Sequence, residues 1–96
     1  MNKPKQAPKD DIWRIVKSED SEGLSRLFRC SELIKSVAVA DAAIKVILDG
    51  GYEKSSMLFF NDYECSVSIH VAMDGVITDE YTNLATRIDM AVSNVR

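Results

Sequence analysis

Histidine is almost missing from this chain: His70 is the one example in 96 residues, and cysteine occurs twice, at Cys30 and Cys65. A metal centre needs several such ligands at short spacings, and proton transfer near pH 7 wants groups that titrate there, so both chemistries are poorly supplied. Glycine is sparse as well, with four residues. The Gly50-Gly51 pair has neither the further glycines nor the lysine of a phosphate-binding loop, and it reads as the end of a helix. There is no basic surplus: 12 Lys and Arg face 15 Asp and Glu, for a net charge of -3 and a pI near 5.0. That balance gives no general attraction for nucleic acid or for an anionic membrane surface. No apolar run reaches the ~18 residues of a membrane span, and the first residues lack the apolar core of a secretion signal.

What is present in quantity is aliphatic sequence. Residues 31–51, SELIKSVAVADAAIKVILDGG, place Leu33, Ile34, Val37, Ala38, Val39, Ala40, Ala42, Ala43, Ile44, Val46, Ile47 and Leu48 around a thin polar seam. This predicts a helix that is apolar over more than one face. A helix lying on a sheet needs a single apolar stripe, so the surplus calls for a second cover, most economically the same helix of another copy. Burying an extra ~500 Å² would supply on the order of 12 kcal/mol gross before the costs of association. The contact residues expected on that basis are Leu33, Val37, Ala40, Ile44 and Leu48, with the fourth strand added if its edge is free.

The rest of the chain supplies a sheet and one further helix. Residues 1–11, with two prolines and three lysines, read as a solvated flexible tail, and residues 12–96 as one domain. The segment 12–17, IWRIVK, is β-branched and aromatic; 18–23, SEDSEG, reads as a turn or loop; 24–30 alternates, with Leu24, Arg26, Phe28 and Cys30 opposite Ser25, Leu27 and Arg29. These form a hairpin. Ser31 is the expected N-cap of the long helix, with Glu32 in its first turn. The run 55–60, SSMLFF, is apolar at consecutive positions and is expected to be a strand covered on both faces, followed by a turn at Asn61-Asp62. Residues 65–73 alternate cleanly, with Cys65, Val67, Ile69, Val71 and Met73 on one face and Ser66, Ser68, His70 and Ala72 on the other. Asp74-Gly75 ends that strand. Thr78 caps a second helix whose apolar positions Tyr81, Leu84, Ala85, Ile88, Val92 and Val95 recur at helical spacing. The predicted class is α+β, in the order ββαββα, with a four-stranded antiparallel sheet and both helices packed on one face.

The segment from Val67 to Asp89, VSIHVAMDGVITDEYTNLATRID, resembles the carboxy-terminal part of the pterin-4a-carbinolamine dehydratases. Val67, Ile69 and Val71 match that family's alternating strand, Ile77-Thr78 its helix entry, and Leu84-Ala85 with Ile88-Asp89 its helix. Upstream, Trp13, Leu27-Phe28-Arg29 and the helix from Val37 to Ile44 are similar to the family's tryptophan, its aromatic strand end and its Val-Ala helix. The resemblance implies the same fold and self-association through sheet edges and the central helix. It does not carry over the activity. The family's His-His-Pro segment falls here at Ser55-Ser56-Met57, its later histidine falls near Asp74 in a turn about two residues shorter, and the helix that precedes its first strand is replaced by the Lys/Pro tail.

Serines do not transfer protons near pH 7, and His70, inside a strand on its polar face, reads as an exposed strand histidine. The expectation is therefore a non-catalytic, pterin-dehydratase-like assembly module, a homodimer or homotetramer in which another protein is the further candidate partner. No cofactor or metal is expected. The alternative is a 4a-hydroxytetrahydrobiopterin dehydratase, a hydro-lyase, or a pterin binder with a rearranged site built from His70, Asp74 and Ser56. A third reading is an unrelated ββαββα binding protein. Reduced cysteines used for packing point to the cytoplasm or another reducing compartment.

Overall fold

The computed structural model of the protein describes residues 12–17, 19, 21–74 and 78–96, with the side chains of 72–74 left aside. The tail expected at residues 1–11 and the strand stop expected at Gly75 lie outside the described residues. The chain runs β1 (Arg14–Lys17), β2 (Ser21–Arg29), α1 (Leu33–Gly50), a single 3-10 turn (Glu53–Ser55), β3 (Ser56–Asn61), β4 (Ser66–Asp74) and α2 (Asp79–Ser93). The four strands form one antiparallel sheet in the order β1-β2-β4-β3. The α+β class and the ββαββα order expected from the sequence are both present.

The register explains which residues are buried. Opposite residues of an antiparallel pair point to the same face, and Leu24 lies opposite Val71, Arg26 opposite Ile69 and Phe28 opposite Val67. Val67, Ile69 and Val71 are at most 1% exposed, and they pack with Phe28, with Val39, Ala43 and Ile47 of α1, and with Leu84, Ile88 and Val92 of α2. Both helices therefore cover one face. The opposite face carries Val16, Ser25, Leu27, Met57, Phe59, Ser68 and His70 and has no helix over it among the described residues.

Several boundaries differ from the sequence reading. Ser21, Glu22 and Gly23, expected in a loop, belong to β2, because all three pair with β4 and Glu22 and Gly23 pair with β1 as well. Two ladders outweigh the weak strand propensity of a Ser-Glu-Gly run. Ser31 is not the cap of α1: Glu32 occupies that place in extended conformation, without a side-chain cap hydrogen bond, so it lies outside the first turn. Thr78 does hold the N-cap position of α2, with Asp79 and Glu80 following. Gly51 ends α1 at φ 77, a left-handed conformation that glycine adopts without a Cβ penalty.

The largest correction concerns β3. Expected to be covered on both faces, it is instead an edge strand, and Met57, Phe59 and Phe60 are 58%, 54% and 43% exposed. Consecutive apolar residues implied two covered faces, and among the described residues only one is covered, in part. β4, whose edge was a candidate for pairing, lies inside the sheet between β2 and β3.

Candidate interaction surface

The sheet separates the residues that would have formed a rearranged catalytic site. Ser56 lies opposite Val71, so its side chain is on the helix-covered face. Its Oγ is buried and has no hydrogen-bond partner among the described residues. His70 lies opposite Met57 and Ser25, on the helix-free face, with its ring edge-on to Phe59 at 5.5 Å and 78°. The sheet stands between the two. Ser55 ends the 3-10 turn that precedes β3. Asp74 is the last residue of β4, opposite Ser21. Among the described residues no group of three His, Cys, Asp or Glu is placed to hold a metal ion. The two cysteines are free thiols.

A groove of about 470 Å³ runs between the outer sides of α1 and α2 past Ala42, Lys45, Val46, Ala91 and Val95. The Arg87 to Asp49 ion pair, 3.0 Å, closes one side of it. Lys45 and Asp41, one turn apart on α1, form an exposed ion pair in it at 3.1 Å. On the helix-free face, a smaller hollow of about 200 Å³ forms where Gly23 has no side chain, bordered by Val16, Met57 and His70.

The feature that stands out is the flank of α1 turned away from α2. Leu33, Val37, Ile44 and Leu48 follow one another at helical spacing along it. They are 45%, 51%, 40% and 56% exposed. Ile44 and Leu48 meet Ser56 and Leu58 of β3 across a groove of about 160 Å³. The helix flank and the edge strand thus make one apolar surface. Ala40, expected on this flank, is 9% exposed and belongs to the core, where a small residue lets α1 approach the sheet.

The two edges of the sheet are unequal. β1 carries Arg14 and Lys17, charges of the kind that deter edge pairing, and Lys17 holds Glu22 at 3.7 Å. β3 reads SMLFFN, with no charge and no proline. Its outer edge pairs with no strand among the described residues.

Sequence reasoning missed one polar node. Asp89 Oδ1 accepts hydrogen bonds from Trp13 Nε1 at 2.8 Å and from Arg26 Nη1 at 2.6 Å, and the Arg26 guanidinium lies over the Phe28 ring at 4.3 Å. This ties the start of β1, the middle of β2 and α2 together. An arginine alternating with Leu24 and Phe28 on the core side of a strand was the available signal, because a charge there needs a partner.

No protein-family model matches the chain, and no curated protein matches it significantly.

Proposed function

We propose that this chain is a self-associating protein-binding module, a non-catalytic relative of the pterin-dehydratase type, and that it assembles through the α1 flank and the β3 edge. The observation that carries the reading is the continuity of Leu33, Val37, Ile44 and Leu48 with Leu58 and Phe60 of an uncharged edge strand. Exposed large apolar side chains on a small domain mark an interaction site when they are contiguous. The surface is also complementary to itself, since antiparallel pairing of two β3 edges brings two α1 flanks side by side on the same face of the joined sheet. Serines at the positions of the family's histidine pair, and His70 across the sheet from Ser56, support a role without dehydration chemistry.

The test is the mass in solution of the wild type and of Leu48→Glu, with thermal shift in a tetrahydrobiopterin analogue run alongside. The reading expects a dimer or tetramer for the wild type, a smaller species for the variant and no ligand-dependent rise in Tm. A monomeric wild type contradicts the assembly role, and a pterin-induced rise in Tm reopens the enzymatic one.

A further inference from the structure

The two cysteines meet across the end of a ladder. Cys30 N–H donates to Cys65 O at 2.9 Å, one step beyond the Arg29 to Ser66 pair that ends the register of β2 with β4. Hydrogen-bonded partners on antiparallel strands lie about 5.5 Å apart at Cα, within the roughly 4.4–6.8 Å that a disulfide bridges. Both thiols are free, and both are half-buried. Packing accounts for only one of them. Cys30 lies against the core, whereas Cys65 is not among the side chains gathered there. Cys65 instead closes the turn between β3 and β4 at φ 53, the one positive φ of a non-glycine residue among the described residues. Glycine or asparagine takes that conformation at lower cost. A cysteine held there strains the backbone without filling the core, and such outliers gather at functional sites.

Cys30 also borders a cationic hollow. Arg29, Ser31, Lys35 and Arg96 line about 200 Å³ beside it. Arg96 Nη2 donates to Arg29 O at 3.1 Å and Lys35 Nζ to Arg96 O at 3.4 Å, which gathers these cations around the hollow. Glu64 offsets part of the charge, 3.8 Å from Arg29 Nη1. On a chain with a net charge of -3, such a concentration of cations is a local feature. It lies where an incoming anion would reach a thiol.

We infer that Cys30 and Cys65 form a thiol–disulfide exchange site whose co-reactant is a small anionic disulfide of the glutathione type. The Cys30 thiolate attacks one sulfur of the reagent while the reagent's carboxylates meet Arg29, Lys35 and Arg96. The reagent's S–S bond breaks, and one glutathione thiolate leaves and takes up the proton that Cys30 gave. The Cys65 thiolate then attacks the Cys30 sulfur of the mixed disulfide, and the second glutathione leaves as a thiol with the proton from Cys65. Two protein thiols are thereby oxidised to one Cys30–Cys65 bond, and one glutathione disulfide is reduced to two glutathione molecules. The Cys65 thiol gives up its contact with Asp62 O, 3.9 Å away in the free-thiol state. The new bond ties the end of β2 to the turn between β3 and β4.

The test equilibrates the full chain with glutathione and glutathione disulfide over a range of ratios, then quenches with acid, alkylates and measures the intact mass. The expected product at oxidising ratios is a single chain, two hydrogens lighter, that resists alkylation until it is reduced. In Cys65→Gly, a substitution that suits the left-handed turn, the reaction should stop at Cys30 carrying one glutathione. In Cys30→Ser, adduct formation at Cys65, away from the cations, should be slower by about fivefold or more. Adding Lys35→Glu to Cys65→Gly should slow the Cys30 adduct by about threefold or more with glutathione disulfide and leave its rate with uncharged hydroxyethyl disulfide unchanged. Circular dichroism shows that each variant is folded. A wild type that stays fully open to alkylation, or that accumulates glutathione adducts or cross-linked chains without the internal bond, overturns the pairing of Cys30 with Cys65. Equal slowing with the charged and the neutral reagent, or slowing with neither, overturns the cationic hollow as the place where the reagent docks.

Discussion

At the scale of single residues, the fold holds a few strained or costly groups with measurable consequences. Ser36 is fully buried on α1, and its Oγ has no hydrogen-bond partner among the described residues. An unsatisfied buried hydroxyl costs roughly 1–3 kcal/mol, and alanine is the better helix former. Ser36→Ala should therefore raise stability by about 1 kcal/mol in urea unfolding at an unchanged m-value. Tyr52 offers a pH probe. Its hydroxyl donates to Glu80 Oε2 at 2.6 Å, and this hydrogen bond, ahead of desolvation and the Glu80 charge, raises its pKa above 10.0. A raised folded-state pKa stabilises fully below the unfolded value and is lost as pH climbs through the folded one. Absorbance titration should show one tyrosine ionising later than an ordinary phenol, and Glu80→Gln should remove most of the delay. Gly50 is fixed by the same ring, since a Cβ there would lie 2.5 Å from Tyr52 Cε2. Gly50→Ala should displace Tyr52 and weaken its bond to α2, visible as an earlier phenol titration.

At the scale of elements, the sheet and helices differ in how openly their sequences declare them. The alternation from Val67 to Val71 and the helical spacing of Tyr81, Leu84, Ala85, Ile88 and Val92 state both period and buried face, and all eight residues are in the core. Strand β3 could not be read the same way. Consecutive Met57, Leu58, Phe59 and Phe60 are equally consistent with a strand covered on both sides and with an edge strand whose cover comes from another molecule, because sequence periodicity records burial without recording what does the burying. Ala40 failed for a related reason: it lies between the buried and exposed sectors of α1, and an excess of apolar positions does not say where the sheet touches. The Asp89 node was only half legible: Arg26 on the core face called for a partner, but Trp13 and Arg26 lie 76 and 63 residues from Asp89, too far along the chain for spacing to name it. Its strength can be checked. Arg26 has only 10% of its side chain exposed, so Asp89→Ala should cost on the order of 2–3 kcal/mol by leaving a nearly buried cation without this carboxylate. Trp13 fluorescence should move with it. On α1, by contrast, Leu48→Glu should leave the melting temperature of the monomer nearly unchanged while it weakens association, whereas Ala40→Arg should unfold the protein by forcing a long charged chain into the core.

At the scale of the whole molecule, and among the described residues, one face of the sheet carries both helices and the other carries none, and about half of the exposed large apolar side chains lie along the α1 flank and β3. The edge at β1 is guarded by charge and the edge at β3 is not. That asymmetry, next to the exposed flank of α1, is what makes assembly the reading that accounts for the exposed apolar side chains of that flank and of β3. It also explains the composition of α1, since Leu33, Val37, Ile44 and Leu48 would be an aggregation liability on an isolated chain. The dehydratase alternative would need Ser56 and His70 to cooperate across the thickness of a sheet.

The most direct measurement is static light scattering across a concentration series, on the wild type and on Leu48→Glu, with circular dichroism to show that both are folded. The account predicts a wild-type mass at an even multiple of the 10.7 kDa chain and a folded variant whose dissociation constant is raised at least tenfold. A wild type that remains at the mass of one chain throughout, or a variant that associates as tightly as the wild type, would contradict it.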